Sequence, residues 1–239
     1  MSTDRRMESG PPQVSLSLAP IGGSLSLRDR AYASLRRAIA ETDIYESRED
    51  IRLDEKELAE ALGVSRTPVR EAMTLLEQEG FLRTVPRRGV YIQRKTKREI
   101  VEMIYMWAAL ESMAARLATV RASDGHIAGL RRIFAAFGEA TPAEHVDEYS
   151  EANIAFHQAV FELSQSPVLV ETSKNIFMHV RAIRRMTIGE RDRAARSIDD
   201  HMRIIEALEA RDTERAEQLV RQHSLDLAAF VEAHCDFLD

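Results

Sequence analysis

Cysteine is nearly absent from this chain: Cys235 is the only one in 239 residues. A single thiol cannot close an intrachain disulfide, and without a Cys-x-x-Cys pair neither a thiolate metal site nor a redox dithiol can form. A reducing, cytoplasmic setting is the expectation. Long apolar runs are missing too. The longest, Met103 to Leu110, falls far short of the roughly 20 residues that a membrane helix requires. The N-terminus carries Asp4 and Glu8 and lacks the apolar core of a secretory signal. No internal repeat is present, and there is no His-Glu-x-x-His, Gly-x-Ser-x-Gly or phosphate-loop motif to suggest a catalytic class.

Net charge is also small, −6 overall, which taken alone disfavours nucleic acid as a partner. The average hides a division along the chain. Residues 28 to 98 hold 16 Lys/Arg against 13 Asp/Glu, whereas residues 99 to 239 hold 15 against 24. A basic interaction module joined to an acidic one is the reading such asymmetry supports. Between Phe81 and Arg98 there are seven basic residues, Arg83, Arg87, Arg88, Arg94, Lys95, Lys97 and Arg98, and no acid.

Residues 1–26 contain Gly10, Pro11, Pro12, Pro20, Gly22 and Gly23 with scattered serines, the composition of a flexible tail. A first helix begins at Ser26, with Ala31, Leu35, Ala38 and Ile39 on one face, and ends before the polar stretch Glu41 to Asp50. Asp54 and Glu57 have the form of a capping box for a short second helix through Leu58, Ala59 and Leu62, stopped by Gly63. Ser65 then caps a third helix with Pro68 in its first turn and the stripe Val69, Ala72, Met73 and Leu76. Phe81–Val85 and Val90–Ile92 read as strands joined by Pro86-Arg-Arg-Gly89. Three helices followed by a β-hairpin, over residues 27–94, make a winged helix-turn-helix.

From Arg98 the pattern is helical throughout, with segments expected near 98–121, 125–138, 142–165, 167–187, 194–210 and 212–236. Ser123-Asp124, Thr141-Pro142 and Asp212 are starts, and Ser166-Pro167 a break. The fold class is therefore mainly α: a winged helix-turn-helix, then an all-helical antiparallel bundle over residues 98–236, packed along stripes such as Ile100, Ile104, Ala108, Glu111 and Ala115.

In the third helix Thr67, Arg70 and Thr74 face away from the apolar stripe and Arg66 lies at its edge, so these groups are free to enter a major groove. Arginine can donate two hydrogen bonds to guanine O6 and N7, and a capped helix N-terminus suits phosphate. Arg87 and Arg88 fall at the hairpin tip, where Gly89 permits close backbone approach. The alternative is a solvated, salt-bridged face beside Glu71 and Glu77. The stretch Ile51 to Gly80, with Gly63-Val-Ser-Arg-Thr-Pro-Val-Arg-Glu-Ala72 at its centre, and Pro86-Arg-Arg-Gly-Val-Tyr-Ile92 after it, resembles the GntR-type bacterial transcription regulators. The resemblance implies that Lys56, Ser65, Arg66, Thr67, Pro68 and Arg70 lie at DNA, that Gly89 is the wing glycine, and that a homodimer binds a short palindromic operator. About 70 residues offer few base contacts, which agrees with a doubled site.

The C-terminal half resembles the FadR-type helical ligand-binding domain called FCD, through Leu110-Glu-Ser-Met-Ala-Ala-Arg-Leu-Ala118, Asn153-Ile-Ala-Phe-His157, Asp200-His-Met-Arg-Ile-Ile-Glu-Ala-Leu-Glu-Ala-Arg-Asp212 and Arg221-Gln-His223. Many such domains hold a divalent metal on one oxygen donor and three histidines. Asn153 and His157 stand i, i+4 on one helix face. His201 and His223 would be about 33 Å apart on one straight helix, but they flank Asp212 by 11 residues on each side, so a hairpin turning there puts them at one height. Asn153, His157, His201 and His223 would suit Zn²⁺, Ni²⁺ or Mn²⁺, with open positions for water or a carboxylate.

Two departures from the family pattern bear on the ligand. Many relatives have Asp where this chain has Asn153, and a neutral amide leaves an occupied site more positive, favouring an anionic effector. Many also have a carboxylate-clamping arginine where this chain has Trp107. Trp107 is then either core or the wall of a pocket for a larger, more apolar effector, with anion recognition moved to the metal or to Arg181, Arg184 or Arg185. The expected function is a sequence-specific DNA-binding regulator, a repressor in most of the family, controlled by a carboxylate-containing metabolite. The competing enzyme reading, a metal-dependent hydrolase tethered to nucleic acid, lacks a general base: Glu162 lies roughly 140° around the helix from His157. A metal-free effector domain with structural histidines is the other alternative.

Overall fold

A computed structural model describes residues 26–42, 44–45, 49–137 and 146–238. The proposed N-terminal tail, the helix start at Thr141-Pro142 and His145 lie outside the described residues. Helix α1 (Leu27–Glu41) starts where the Ser26 hydroxyl accepts from the Asp29 amide and buries Ala31, Leu35 and Ile39. These pack on α3 (Arg66–Gln78), which buries Val69, Ala72, Met73 and Leu76. Between them α2 (Glu55–Leu62) is capped by the Asp54 carboxylate, which accepts from the Lys56 and Glu57 amides. It closes on Gly63 at φ +65°, a left-handed conformation that glycine adopts without a side-chain penalty.

The wing has one strand more than the sequence suggests. Besides β2 (Leu82–Val85) and β3 (Gly89–Ile92), a two-residue strand β1 (Arg52–Leu53) pairs antiparallel with β3, giving the order β1-β3-β2. In the register Arg52 faces Tyr91 and Thr84 faces Val90. Two residues carry no readable alternation, so β1 has no period of its own and exists through its partner. Gly89 sits at φ +121°, and a Cβ there would fall 2.9 Å from the Arg52 Nε. Its close approach is therefore to β1 within the wing itself.

Six α-helices follow among the described residues. Helix α4 (Lys97–Arg121) opens on a capping box in which Thr96 and Glu99 exchange hydrogen bonds. It is the spine of the domain, lying along α9 (Thr213–His234) and touching α6 (Val146–Leu163), α7 (Pro167–Thr187) and α8 (Arg193–Glu209). Helix α5 (Asp124–Ile133) stops five residues short of the expected 138, because Phe134 leaves helical geometry and a 3₁₀ turn, Ala135–Phe137, takes over. Asp212 caps α9 by accepting from the Arg215 amide, so α8 and α9 do form a hairpin at that residue. No helix among the described residues is long and apolar enough to cross a membrane.

The two modules touch chiefly through α7. Arg36 on α1 donates to Asn175 at 3.0 Å, and Arg181 donates to the Ala40 carbonyl at 2.8 Å. The buried Tyr45 hydroxyl accepts from the Lys95 amide and lies 2.8 Å from the His179 Nδ1. Burial lowers His179 to about 4, so the ring is neutral and shares one hydrogen bond with the tyrosine hydroxyl.

Leu76 is completely buried between α1 and the wing. Its replacement by Ala should cost about 2–5 kcal/mol, read as a lowered urea midpoint by circular dichroism; a loss under about 1 kcal/mol would mean that α3 is not anchored by this stripe.

Candidate DNA interface and metal centre

The sequence-proposed DNA contacts lie at the surface. Lys56 in the first turn of α2, Ser65, Arg66, Thr67 and Arg70 at the start of α3, and Arg87 and Arg88 on the wing are all exposed, with Pro68 and Gly89 half-buried beside them. Ser65 has cap geometry but makes no side-chain cap bond. The hydroxyl expected to satisfy orphan amides leaves them available, which strengthens rather than weakens this helix end as a phosphate site. Thr74 turns its hydroxyl back onto the Arg70 carbonyl at 2.9 Å.

An acid that the sequence does not single out organises the arginines. Glu55 receives Arg70 at 2.8 Å and Arg66 at 3.2 Å, and these two hold its carboxyl below the usual range. The salt-bridged face thus involves Glu55, brought over by the helix-turn-helix, instead of Glu71 or Glu77. Glu77 has another task, accepting from the Thr84 amide at 2.6 Å and tying α3 to β2. Exposed pairs of this kind contribute little stability. Glu55 aligns two guanidinium groups and competes with any anion that would take them.

In the helical domain His157 on α6, His201 on α8 and His223 on α9 each present a ring nitrogen, the three lying within 4.8 Å of one another. All are buried. The Nδ1 atom of each ring is occupied from outside the cluster: His157 by the Glu111 carboxylate, His201 by the Tyr149 hydroxyl at 3.2 Å, and His223 by Asp200 at 3.3 Å. That leaves the Nε2 atoms to face inward. Such outer partners fix ring orientation and tautomer at metal sites. His201 is further clamped between Phe134 and Phe156, at 5.0 and 4.4 Å between ring centres.

Among the described residues, the buried atoms without a partner include the Nε2 of His157, the Nε2 of His201, the Arg184 Nε, and both Oδ1 and Nδ2 of the fully buried Asn153. Buried polar groups are rarely left unpaired, because the desolvation cost is not recovered. A divalent ion would supply the missing partner for the two imidazoles. Burial lowers His157 to about 4, aided by Arg184, and pushes His201 well below the normal histidine value. His223 is lowered by the same cause. Neutral imidazole is the ligating form, so the donor set fits a transition metal.

Around this cluster lies a polar shell legible in the sequence only in part. Glu111 occupies a core stripe position of α4, yet it is a hydrogen-bonding hub: Trp107 Nε1 donates to it at 2.7 Å, Ser224 at 3.1 Å, and His157 also donates. Burial pushes its carboxyl up, but His157 and the Arg184 guanidinium outweigh this and hold it ionised. An acid in an apolar stripe was the available signal. Arg184 is buried, 3.3 Å from the His223 Nε2 and 3.2 Å from the Ser224 hydroxyl. Arg181 is not brought to this cluster by any contact; it joins α7 to α1 and approaches Glu151 at 3.9 Å. Arg185 also approaches Glu151, at 3.6 Å. Trp107, 1% exposed, stacks on Phe177 and packs on Phe161, its edge toward His157. A small cavity of about 350 Å³ meets its far side between α6 and α7. A larger one of about 730 Å³ opens off His223, where Arg191, Arg193, Arg196 and Arg203 face Asp199, Asp200 and Asp226 across a mixed-charge lining.

A winged helix followed by a helical module with a buried histidine cluster is the arrangement of a DNA-binding transcription regulator. The comparisons agree. Residues 27–92 match the model for bacterial regulatory proteins of the gntR family and residues 102–226 the model for the FCD domain; the chain belongs to the GntR family and carries an FCD domain. It is 25% identical to the HTH-type transcriptional repressor RspR of Escherichia coli, over 75% of this chain and 78% of RspR. It is 30% identical to the Uxu operon regulator of Haemophilus influenzae, over 71% and 69% of the two chains. Among solved structures, E. coli McbR/YncC shares the fold with a TM-score of 0.71 at 23% identity, over 89% of this chain and all of that one.

Metal analysis by plasma mass spectrometry of protein purified without chelator is expected to give near-stoichiometric divalent metal that disappears in His201→Ala. Glu111→Gln should weaken metal affinity about 10–100-fold; wild-type affinity in that variant would separate Glu111 from the site. At the other end, Arg66→Ala or Arg70→Ala should each weaken specific DNA binding by about 1–3 kcal/mol, measured by fluorescence anisotropy. Unchanged operator affinity would remove that arginine from base recognition.

Proposed function

We propose that this protein is a cytoplasmic transcriptional repressor whose homodimer binds a short palindromic operator and releases it when an anionic metabolite enters the FCD domain. The observation that carries this reading is the cluster of His157, His201 and His223, with orphaned Nε2 atoms on His157 and His201 and the buried, unpartnered Asn153 one turn before His157 on α6, in the domain whose helix α7 also carries the contacts to the winged helix. Asn153 and the three histidines would hold a Zn²⁺, Ni²⁺ or Mn²⁺ ion. The metal would supply a Lewis-acidic anchor for a carboxylate. With four neutral donors the ion keeps its full positive charge, and Arg184 adds another beside His223, so an anion is favoured over a neutral ligand.

Helix α7 offers the physical route from ligand to DNA. Arg184 faces the cluster, and at successive positions along the same helix Arg181, His179 and Asn175 hold Ala40, Tyr45 and Arg36. A ligand that draws Arg184 inward therefore acts on the helix that positions α1. It shifts the regulator only to the extent that it binds one arrangement better than the other. Along α4, Met106, Met113 and Val120 are 56%, 43% and 74% exposed at a seven-residue spacing, the seam of a helix–helix contact. A second copy of this chain covers that face in the proposed dimer. The regulator reading is preferred over a hydrolase because Glu111, Tyr149 and Asp200, the groups that meet the histidines from outside, are engaged in orienting them.

The test begins with operator fragments selected from genomic DNA and bound to metal-loaded protein in an anisotropy assay, against a library of carboxylic metabolites. At least one compound should weaken operator binding tenfold or more in the wild type, fail to do so in His201→Ala, and do so less in Tyr45→Phe. Sedimentation should give twice the 27.1 kDa chain mass, lowered in Met113→Lys. Operator binding indifferent to metal and to the whole library would overturn ligand control.

A further inference from the structure

The outer face of the wing carries a cation that a simple hairpin would not. Residues opposed in an antiparallel pair share one face of the sheet, so strand β1 places Arg52 beside Tyr91 of β3, and Arg83 of β2 stands on the other side of the same tyrosine. The opposite face, with Leu82 and Ile92, is buried in the core. Arg83 lies over the Tyr91 ring at 5.2 Å and pairs with Asp50, so its charge is answered within the wing. Arg52 is exposed, and its guanidinium has no hydrogen-bond or ion-pair partner among the described residues. Arg87 and Arg88 at the tip share both properties.

Arg52 nevertheless has a seat. A Cβ at Gly89 would fall 2.9 Å from the Arg52 Nε and 3.6 Å from its Cζ and Nη2, and these are the three atoms nearest to it. The guanidinium therefore lies against bare backbone that only glycine provides. Tyr91, two residues on along the same face, donates its hydroxyl to the Arg88 carbonyl at 3.2 Å, which ties the tip to this row. Arg52 also neighbours the starts of α2 and α3. The acid that senses it is Asp54, whose carboxyl is held below the usual range by the Glu57 and Lys56 amides and, after these, by Arg52 and Arg66. Asp54 Oδ1 is already engaged with those amides in capping α2, at 3.1 and 2.8 Å.

Arg52 thus adjoins both parts of the face assigned to DNA, Arg66 at the head of α3 and the arginines of the wing tip. In a duplex the major groove and the adjacent minor groove are separated by a sugar–phosphate strand, so a cation placed between a helix in one and a wing in the other meets phosphate. We infer that Arg52 is a further DNA contact, binding a phosphate on the strand between the groove entered by α3 and the groove entered by the wing, and that residue 89 is glycine in order to seat its guanidinium. This rests on the reading that α3 and the wing tip lie at DNA. A guanidinium suits the task because its fork can donate two hydrogen bonds to one phosphate, and such a contact fixes register without reading sequence.

The test uses the full chain and two duplexes of equal length, an operator fragment selected from genomic DNA and a scrambled sequence, titrated by anisotropy across roughly 50–200 mM salt. Arg52→Ala should weaken both complexes by a similar factor, about tenfold at low salt, and reduce the salt slope by about 1 for each half-site bound. Arg52→Lys should keep the slope and recover only part of the affinity, because the charge stays and the fork is lost. Gly89→Ala should weaken binding in the wild type and add little in the Arg52→Ala background; backbone strain at φ +121° is common to both backgrounds and cancels in that comparison. The unfolding temperature of Arg52→Ala should match the wild type. An unchanged salt slope in Arg52→Ala, a loss confined to the operator, fully additive losses from Arg52→Ala and Gly89→Ala, or a loss that tracks a lowered unfolding temperature would each overturn the inference. The reading beneath it fails separately: operator binding untouched by Arg66→Ala but weakened by Arg52→Ala would remove Arg66 from the DNA face and keep the backbone contact.

Discussion

A buried negative charge on α4 sets the terms for the helical domain. Glu111 is wholly enclosed, and an enclosed carboxylate is tolerated only when every oxygen is hydrogen-bonded and a positive group lies near. Trp107, His157 and Ser224 donate to it, and Arg184, itself bonded to Ser224, supplies the charge. These partners come from α4, α6, α9 and α7. One carboxylate therefore fixes the relative rotation of four helices, and it does so by turning His157 until its remaining nitrogen faces His201 and His223. The arrangement of the three histidines is a consequence of how that charge is accommodated. So is the packing of Trp107, whose indole is locked at its polar end and stacked at its apolar faces.

The same economy links the two modules. Helix α7 buries Arg184 toward the cluster and presents Asn175, His179 and Arg181 to α1 and to Tyr45. A helix is stiff over this length, so displacement at one end is delivered at the other with little loss. The linker proper contributes through the Lys95 amide on Tyr45, which places the connecting segment in the same network. On the DNA side Glu55 plays a part analogous to that of Glu111, one acid orienting two cations. There the pair is exposed, so its effect is on alignment more than on stability.

Much of the winged helix was legible from residues 27–92 because its signals are local. Asp54 and Gly63 bound α2, the stripe from Val69 to Leu76 has helical period, and Pro86 to Gly89 has turn chemistry. The misses have equally physical causes. β1 is a strand only because β3 lies beside it, α5 ends early through tertiary contacts of Phe134 with Tyr149, Phe156 and His201, and Ser65 leaves its helix end uncapped. In the helical domain the proposed histidines come together because i, i+4 spacing and a hairpin at Asp212 are both geometric facts of sequence. Asp200 and Tyr149 carried no comparable pattern, since what joins them to the histidines is proximity across helices.

The sequence by itself determined the class of each module, the face of α3 that stays polar, and the meeting of His157, His201 and His223, because each depends on spacing along one chain segment or about one turn. Tertiary structure alone decided which acid meets which base. Glu55 rather than Glu71 or Glu77 took Arg66 and Arg70, Arg181 went to α1 while Arg184 went to the cluster, and Arg193 came to lie over the Phe230 ring. Charge pairing depends on distances between elements, and those are set only when the helices pack.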